Sequence, residues 1–403
     1  MGAGERGKDV TILSPQVYLD YGGFVPLDPR VHAVMRPYLE GWVGNPSALH
    51  SLGIEAKESL EASRRKVARL VGGPPQGVVF TSGATEANNL AIRGIALRAQ
   101  DRGRHLIVSS IEHISIINTC RDLMKHGWSI TWLSVDPEGL VDPESLRRAI
   151  RPDTVLASVM AANPEIGTIE PTRACAAICR EHDVPFHVDA VGAIGRVPFD
   201  AEAWGVDLVS LSGNDLYGPP GVGALYLRSG LKLVPQILGG GQEDGLRSGT
   251  QNLPAIVGMG VAAEIMRREG AGEVQHFVQL RDRLLQGLLE HVEGVRLTGS
   301  PQHRLPHHVS VCLRDIKGES VVLDLDLHGI VASPGSTCAS NTLEPSHVLK
   351  AIGCLPEEIE GSVCFTLGRW TRSSDIELVL DVFPRTVERL RAISPLASRT
   401  SSL

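Results

Sequence analysis

The sequence contains little lysine and no excess of basic residues. Lys and Arg total 39 residues against 46 Asp and Glu, which gives a formal net charge of −7. This acidic balance argues against broad nucleic-acid binding, which usually shows a strongly basic face, so we expect no nucleic-acid partner. The lysines are only seven: Lys8, Lys57, Lys66, Lys125, Lys232, Lys317 and Lys350.

Long apolar runs are also lacking. No segment approaches the roughly 18 apolar residues of a membrane-spanning helix. The chain begins MGAGERGKDVTILSPQ, which is polar and has no apolar stretch of the kind found in secretion signals. We therefore expect a cytoplasmic protein without a membrane partner. With 403 residues, 42% of them hydrophobic, the chain is long enough for sizeable cores in one or two domains.

Cysteine is sparse and odd in number. The chain has seven cysteines, and their spacing matches no paired zinc pattern, which favours reduced thiols over a disulfide framework. Cys175 and Cys179 lie four residues apart on a predicted helix, where a buried structural role is favoured over a metal site.

Short apolar segments alternate with longer amphipathic ones, and this alternation indicates a mainly parallel sheet covered by helices. Residues 22–260 are predicted to form a large α/β domain, and residues 1–21 with 261–395 a smaller α/β domain. Residues 396–403 are predicted to be a disordered tail. Ligands in such sheets bind at the carboxyl ends of the strands. The predicted strands of the large domain are GVVFTSG, HLIVSSIEH, SITWLSVD, TVLASVMAA, PFHVDAVG, DLVSLSG and GALYLR.

Two of these strand ends carry groups suited to an ionic ligand. Thr85 opens a helix directly after a strand, where amide groups and the helix dipole favour an anion such as phosphate; a simple helix cap explains it equally well. Asp189 ends an apolar strand, where a carboxylate needs a cation or donor such as a protonated ring nitrogen. A capping or ion-paired aspartate is the alternative.

Two further segments are candidates for chemistry. Asn214 and Asp215 lie at the tip of a Gly/Pro-rich turn after a strand, although an ordinary turn accounts for both. Cys338 lies among small residues in the segment ASPGSTCAS, where an exposed thiol can form thiolate and be modified. An inert cysteine is the alternative interpretation.

Taken together and in order, the motifs resemble the NifS/IscS cysteine desulfurases, which have the class V aminotransferase fold (fold type I) of pyridoxal-phosphate (PLP) enzymes. The resemblance runs from about Val17 to Ile376. Among the motifs that carry it are VVFTSGATEANNLAI, SSIEHISI, NPEIGTIEP, HVDAVGAIG, DLVSLSGND, GPPGVGALYLR, GGGQEDGLRSGTQN, ASPGSTCAS and TLGRWT.

The resemblance implies a homodimer and a set of site residues. In that family PLP forms an aldimine with a lysine, and a loop cysteine takes sulfur from the substrate as a persulfide. The implied roles are phosphate binding by Thr85, Ser212 and, across the dimer interface, Thr250; ring stacking by His113; pairing with the pyridinium nitrogen by Asp189; and persulfide formation by Cys338.

The sequence departs from the family at the centre of that site. Asp215 stands where the family has its lysine, and an aspartate can neither form the aldimine nor shuttle the proton. The nearest lysine along the chain, Lys232, is seventeen residues away (232 − 215 = 17). Cys364 stands at the position of the substrate-binding arginine and cannot make a bidentate carboxylate clamp. The other departures are Asn214 for histidine, Gly192 for glutamine, Pro164 for asparagine, and Gly23-Phe24-Val25 for Ala-Thr-Thr.

These departures predict a desulfurase-like protein without PLP-lysine desulfuration. Cys338 would then carry persulfide or ligate an iron–sulfur cluster, and the protein would dock an active desulfurase, an iron–sulfur scaffold or a sulfur acceptor. One alternative is an enzyme that binds PLP non-covalently and has weak or altered activity. Another is a pure interaction protein in which the thiol is incidental. A three-cysteine metal site of Cys338, Cys354 and Cys364 is disfavoured by the spacing.

Overall fold

A computed structural model describes residues 16–335 and 345–394 of the chain. Within these ranges no helix has the length and apolar character needed to cross a membrane. The strands are β1 (Val17–Tyr18), β2 (Val78–Thr81), β3 (His105–Ser109), β4 (Ser129–Leu133), β5 (Thr154–Ser158), β6 (Phe186–Asp189), β7 (Leu208–Ser212), β8 (Gly223–Leu227), β9 (Val295–Leu297), β10 (His308–Leu313), β11 (Ile330–Val331), β12 (Ser333–Pro334) and β13 (Ser362–Thr366).

The helices lie between these strands and account for the amphipathic segments of the sequence. They are α1 (Pro29–Glu40), α2 (Ser51–Val71), α3 (Ala84–Ala99), α4 (Ile114–Lys125), α5 (Pro143–Ala149), α6 (Thr172–Glu181), α7 (Ala201–Trp204), α8 (Leu253–His291), α9 (Gly318–Leu327), α10 (His347–Ala351), α11 (Pro356–Glu360) and α12 (Ser373–Ile393).

The main sheet has seven strands in the order β2-β8-β7-β6-β5-β3-β4. The five adjacent strands β7, β6, β5, β3 and β4 are parallel to one another, whereas β8 runs antiparallel to both β7 and β2. All seven strands predicted from the sequence form this sheet, so the expected mainly parallel α/β architecture is confirmed. Because β2 runs in the same direction as β3 to β7, the carboxyl ends of all these strands meet at one edge.

Buried polar bonds hold the middle of this sheet in register. The ring nitrogens of His187 in β6 lie 2.8 Å from Oγ of Ser158 in β5 and 2.9 Å from Oγ of Ser210 in β7. Burial lowers the pKa of His187 to about 3, so the ring is neutral at physiological pH. A buried neutral ring with both nitrogens bonded fixes the strand that ends at Asp189.

A second core packs beside the sheet edge. It contains the antiparallel sheet β12-β13-β10-β9 and the parallel pair β1-β11, covered by α9, α12 and the end of α8. The segments HHVSVCLRD and GIVAS are predicted from the sequence as strands and contain β10 and β11, and SDIELVLDVFPRTVERLRAI is predicted as a helix and covers most of α12. No pattern predicts β9 or β13. Helix α8 runs from Leu253 to His291 without a break and takes part in both cores, since Met266 belongs to the first core and Leu280 to the second. The predicted domain division at residue 260 therefore lies within α8 and stays a prediction. The predicted tail, residues 396–403, lies outside the described residues.

Candidate functional site

The predicted site residues lie mainly at the carboxyl edge of the main sheet. Their positions are the first turn of α3 (Thr85), the N-cap of α4 (His113), the end of β6 (Asp189), the end of β7 (Ser212), the 3₁₀ turn after β7 (Asp215) and the segment before α8 (Thr250). Thr250 is exposed. Cys338 lies outside the described residues.

A continuous chain of hydrogen bonds links Asp189 to His113. The amide nitrogen of Asn88 donates to Asp189 Oδ2 at 2.8 Å and to Ser115 Oγ at 3.0 Å, and Ser115 Oγ lies 2.8 Å from Nδ1 of His113. The other Asp189 oxygen accepts from the Val191 amide at 3.1 Å. The carboxylate and the imidazole are thus held in fixed positions by buried partners.

Asp215 is held by a different set of neighbours. Burial raises the pKa of its carboxyl group, and the charge of Asp189 adds to this effect. The hydrogen bond from Ser212 and the positive charge of Arg196 act in the opposite direction. The buried Arg196 also donates from Nη2 to the backbone oxygen of Asp215 at 3.2 Å. The Ser212 hydroxyl, a predicted phosphate ligand, therefore lies beside the Asp215 carboxyl and helps to lower its pKa.

No lysine of the described ranges lines the cavities that contain His113. Lys66 is half-buried on α2, and the other five described lysines are exposed. A lysine that reaches the site from another part of the fold is thus not found in the described residues. Covalently bound PLP does not fit this arrangement. The ionisable group near Asp189 is the carboxyl group of Asp215 and not an amine that could condense with the PLP aldehyde.

A cavity of about 560 Å³ lies between His113 and the second core. At its far wall Sγ of Cys364 lies 3.2 Å from Nε2 of His308, and the same nitrogen donates to the backbone oxygen of Pro164 at 2.8 Å. Burial lowers the pKa of His308 to about 3 and raises the pKa of the Cys364 thiol. This wall therefore offers a neutral thiol beside a neutral ring. The guanidinium of Arg304 lies at the other ring nitrogen, with Nη1 3.5 Å from Nδ1 of His308, and Arg121 lines the same cavity.

Two carboxyl groups also line this cavity, and sequence reasoning missed both. Burial raises the pKa of Glu165 to about 8, although its Oε1 accepts a hydrogen bond from the Ser346 hydroxyl. The pKa of Glu112 is raised well above its usual value by burial and by the charges of Asp189 and Glu170. The sequence does give one signal for them, because each is adjacent to a residue already considered for the site: Glu112 precedes His113, and Glu165 follows Pro164. Nothing in the sequence pattern indicated Asn88, Arg196 or His308.

The described cysteines do not form a metal centre. Cys364 contacts His308, whereas Cys354 forms its hydrogen bond with Cys312. Within residues 16–335 and 345–394 no group of three or more His, Cys, Asp or Glu side chains is arranged to hold a metal ion. Cys175 and Cys179 are buried in α6.

Comparison with known proteins identifies the family. The class V aminotransferase family model matches residues 17–379. The chain is 48% identical over 382 residues to cysteine desulfurase IscS 1 of Archaeoglobus fulgidus, covering 95% of this chain and 100% of the relative. The chain belongs to the IscS/NifS-like family of class V aminotransferases.

Further relatives agree with this membership. Cysteine desulfurase IscS of Dictyoglomus turgidum is 44% identical over 380 residues, which cover 94% of this IscS/NifS-like chain and 96% of the relative. The solved structure of a NifS-like protein superposes with a TM-score of 0.87 at 34% identity, covering 93% of this chain and 100% of that one. The fold is thus that of the fold type I PLP-dependent enzymes, as predicted.

Proposed function

We propose that this IscS/NifS-like chain acts in sulfur transfer without forming a PLP aldimine of its own. The proposal rests on the interpretation that Asp215, buried in the turn after β7, takes the position of the family's lysine. A carboxyl group cannot condense with an aldehyde, and this one is flanked by Arg196 and Asp189. Cys364 adds a second change, because a neutral thiol replaces the positive charge that would hold the substrate carboxylate.

Cys338 supplies the remaining sulfur chemistry in this proposal. Its thiolate attacks the outer sulfur of a persulfide on a donor protein, such as an active desulfurase. The new S–S bond forms on Cys338, the donor's S–S bond breaks, and the donor cysteine leaves as thiolate, so no electrons are gained or lost overall. The persulfide then passes to a sulfur acceptor or an iron–sulfur scaffold, for which Cys338 is also the candidate cluster ligand.

Three measurements test the aldimine-free function. The purified protein incubated with PLP should show no aldimine absorbance that borohydride abolishes, and cysteine should yield no alanine. A persulfide donor should add one sulfur atom to Cys338, detected by peptide mass spectrometry, with a Cys120→Ser variant as the matched control and Cys338→Ser as the negative one. Alanine turnover, or sulfur spread evenly over the other cysteines, would reject the proposal.

The hydrogen-bonded half of the site favours one second candidate, non-covalent PLP binding with weak activity. Thr85 and His113 line one open cavity, and Asp189 is already oriented by Asn88. PLP would supply an electron-withdrawing ring there, with Asp189 available to its nitrogen and Thr85 to its phosphate. Titration of the protein with PLP, followed by the bound absorbance, separates this candidate from the first. Binding that survives Asp189→Ala would contradict it.

We also propose a cytoplasmic homodimer. Large apolar side chains are exposed at the end of α1 and the start of α2, where Trp42 is 94% and Leu49 95% exposed. This α1–α2 patch consists of Leu39, Trp42, Val43, Leu49, Leu52 and Ile54, and a patch of this kind marks an interface. A Trp42→Glu variant should be monomeric by light scattering. Leu327→Glu on α9, 84% exposed, is the control that should leave the mass unchanged. If both variants have the mass of a dimer, the dimer interface does not include the α1–α2 patch.

A further inference from the structure

A second pair of thiols lies away from the candidate site, between the second sheet and the segment that follows α10. Cys312 is in the middle of that sheet, on β10, and Cys354 lies between α10 and α11. Each thiol is the largest influence on the pKa of the other, which places the two side chains beside each other. Both residues belong to one apolar cluster with Val348, Leu349 and Ile352, so the contact is made inside a packed structure.

The two thiols of this pair differ in exposure and in surrounding charge. Cys312 is 1% exposed and Cys354 8%, so a small solute meets Cys354 first. Arg296 of β9 pairs in register with Cys312, and its guanidinium is held by a 2.8 Å bond to Glu358 Oε2. The hydrogen bond from Cys312, followed by the charge of Arg296, lowers the pKa of Cys354, while the same hydrogen bond raises that of Cys312.

This asymmetry is the usual basis of thiol reactivity. A thiolate that is stabilised by a donor and a cation attacks an oxidant, and a neighbouring thiol then resolves the product as a disulfide. The buried pair in α6 provides the internal contrast. Cys175 and Cys179 are one helical turn apart, and burial raises the pKa of both thiols.

We propose that Cys312 and Cys354 form a redox-active dithiol that small peroxides oxidise to a disulfide. The Cys354 thiolate attacks hydrogen peroxide, taking one oxygen to become a sulfenic acid while the other leaves as water after protonation. Cys312 then attacks the Cys354 sulfur, the S–S bond forms, and the sulfenic oxygen leaves as a second water. Two thiols lose two electrons and the peroxide gains them.

The position of the disulfide gives it a consequence for the candidate site. Helix α10 begins at His347, whose Nε2 donates to the backbone oxygen of Glu112 at 2.9 Å, and Ser346, His347 and Val348 line the cavity. The bond would join the end of this cavity wall covalently to β10. The inference concerns thiols that the proposed sulfur transfer does not use. An experiment can therefore contradict the dithiol proposal without contradicting the proposed sulfur transfer, and the reverse also holds.

The test is a peptide map of the full-length protein. Reduced protein is treated with hydrogen peroxide, its free thiols are alkylated, and the digest is searched for linked peptides. We expect one linkage, between Cys312 and Cys354, with the intact mass lower by two hydrogen atoms and reversal by dithiothreitol. The linkage should persist in Cys338→Ser and in Cys175→Ser and disappear in Cys354→Ser. Because the wild-type map is decisive alone, a variant that fails to fold does not affect the test.

Alkylation rates provide the second readout. In untreated protein, iodoacetamide should modify Cys354 on the order of tenfold faster than Cys175 or Cys179. The reason is that the thiolate fraction rises about tenfold for each unit by which the pKa of a thiol is lowered. A linkage between Cys175 and Cys179, a linkage that requires Cys338, or separate overoxidation of Cys312 and Cys354 without a bond would overturn the inference.

Discussion

The two halves of the candidate site differ in how their side chains are connected. The half that we call retained (Thr85, His113 and Asp189) consists of residues for which the resemblance predicts the family's roles, and buried hydrogen bonds through Asn88 link Asp189 to His113. The altered half (Gly192, Asp215 and Cys364) has separate partners, since Asp215 contacts Ser212 and Arg196 while Cys364 contacts His308. Each altered polar residue has therefore acquired a neighbour of its own. A substitution to the family's residue at position 215 or 364 would therefore disrupt an existing contact, with Arg196 or His308 respectively.

The largest expected effect follows from introducing a lysine at position 215, where the resemblance predicts one. Asp215→Lys should leave cysteine-dependent alanine release at least about 10³-fold below that of an active relative measured in parallel, because Gly192 and Cys364 still provide neither ring contact nor carboxylate clamp. The new ammonium group would also face Arg196. The assay is alanine formation with added PLP.

The control for that variant is Asp215→Asn, which should be equally inactive. Full recovery of turnover in Asp215→Lys would show that the two halves are not coupled and that the lysine was the single loss.

The second effect is a pH dependence of the free energy of unfolding that arises from Glu165, which lines the cavity. Burial raises the pKa of folded Glu165 from 4.5 to about 8, so the folded protein binds this proton more tightly than the unfolded chain does. The stabilisation is complete below the unfolded pKa and is lost as pH rises toward 8. Relative to Glu165→Gln, the wild type should lose up to about 1.4 kcal/mol of unfolding free energy per pH unit across this window.

Urea unfolding between pH 5 and pH 8 measures this difference. Glu112 and Glu170 have pKa values raised in the same direction, but they are present in both proteins and so cancel. Replacement of the exposed Glu357 by Gln is the matched control. Parallel stability curves for the wild type and Glu165→Gln would show that this carboxyl is not held protonated.

The third effect tests the connection within the retained half. Asp189→Ala removes one of the two acceptors of the fully buried Asn88 amide nitrogen and leaves only Ser115 Oγ. It should lower the free energy of unfolding by about 1–3 kcal/mol, measured with urea. Asp189→Asn keeps an acceptor oxygen and should cost less. If the two variants are equally stable, the hydrogen bond to Asn88 contributes little.

The smallest effect is expected in the altered half. Asp215→Asn keeps an acceptor for the Ser212 hydroxyl and removes a carboxyl group whose charged form burial disfavours. The same urea measurement should therefore change by about 0.5 kcal/mol or less. A loss above 2 kcal/mol would instead identify Asp215 and Arg196 as an essential ion pair, and the altered half would then be as firmly built as the retained one.

Local patterns were enough to predict most of the fold. The seven strands of the main sheet consist of apolar residues bounded by turn signals, so their periodicity was visible in the sequence. Strand β9 was missed because it has only three residues, and β13 because it is stabilised by pairing with β10, a segment much earlier in the chain. The continuity of α8 was underestimated because it passes between two cores, and no single amphipathic pattern spans it.

The site was predictable only in part for the same reason. The sequence alone determined that Asp215 is not a lysine, that the chain has few lysines elsewhere, and that the motifs occur in the family's order. Only the tertiary structure decided what surrounds these residues: Asn88 beside Asp189, Arg196 beside Asp215, His308 beside Cys364, and Cys354 beside Cys312. Burial and pairing set the charge of each group, and both depend on contacts between segments far apart in the chain.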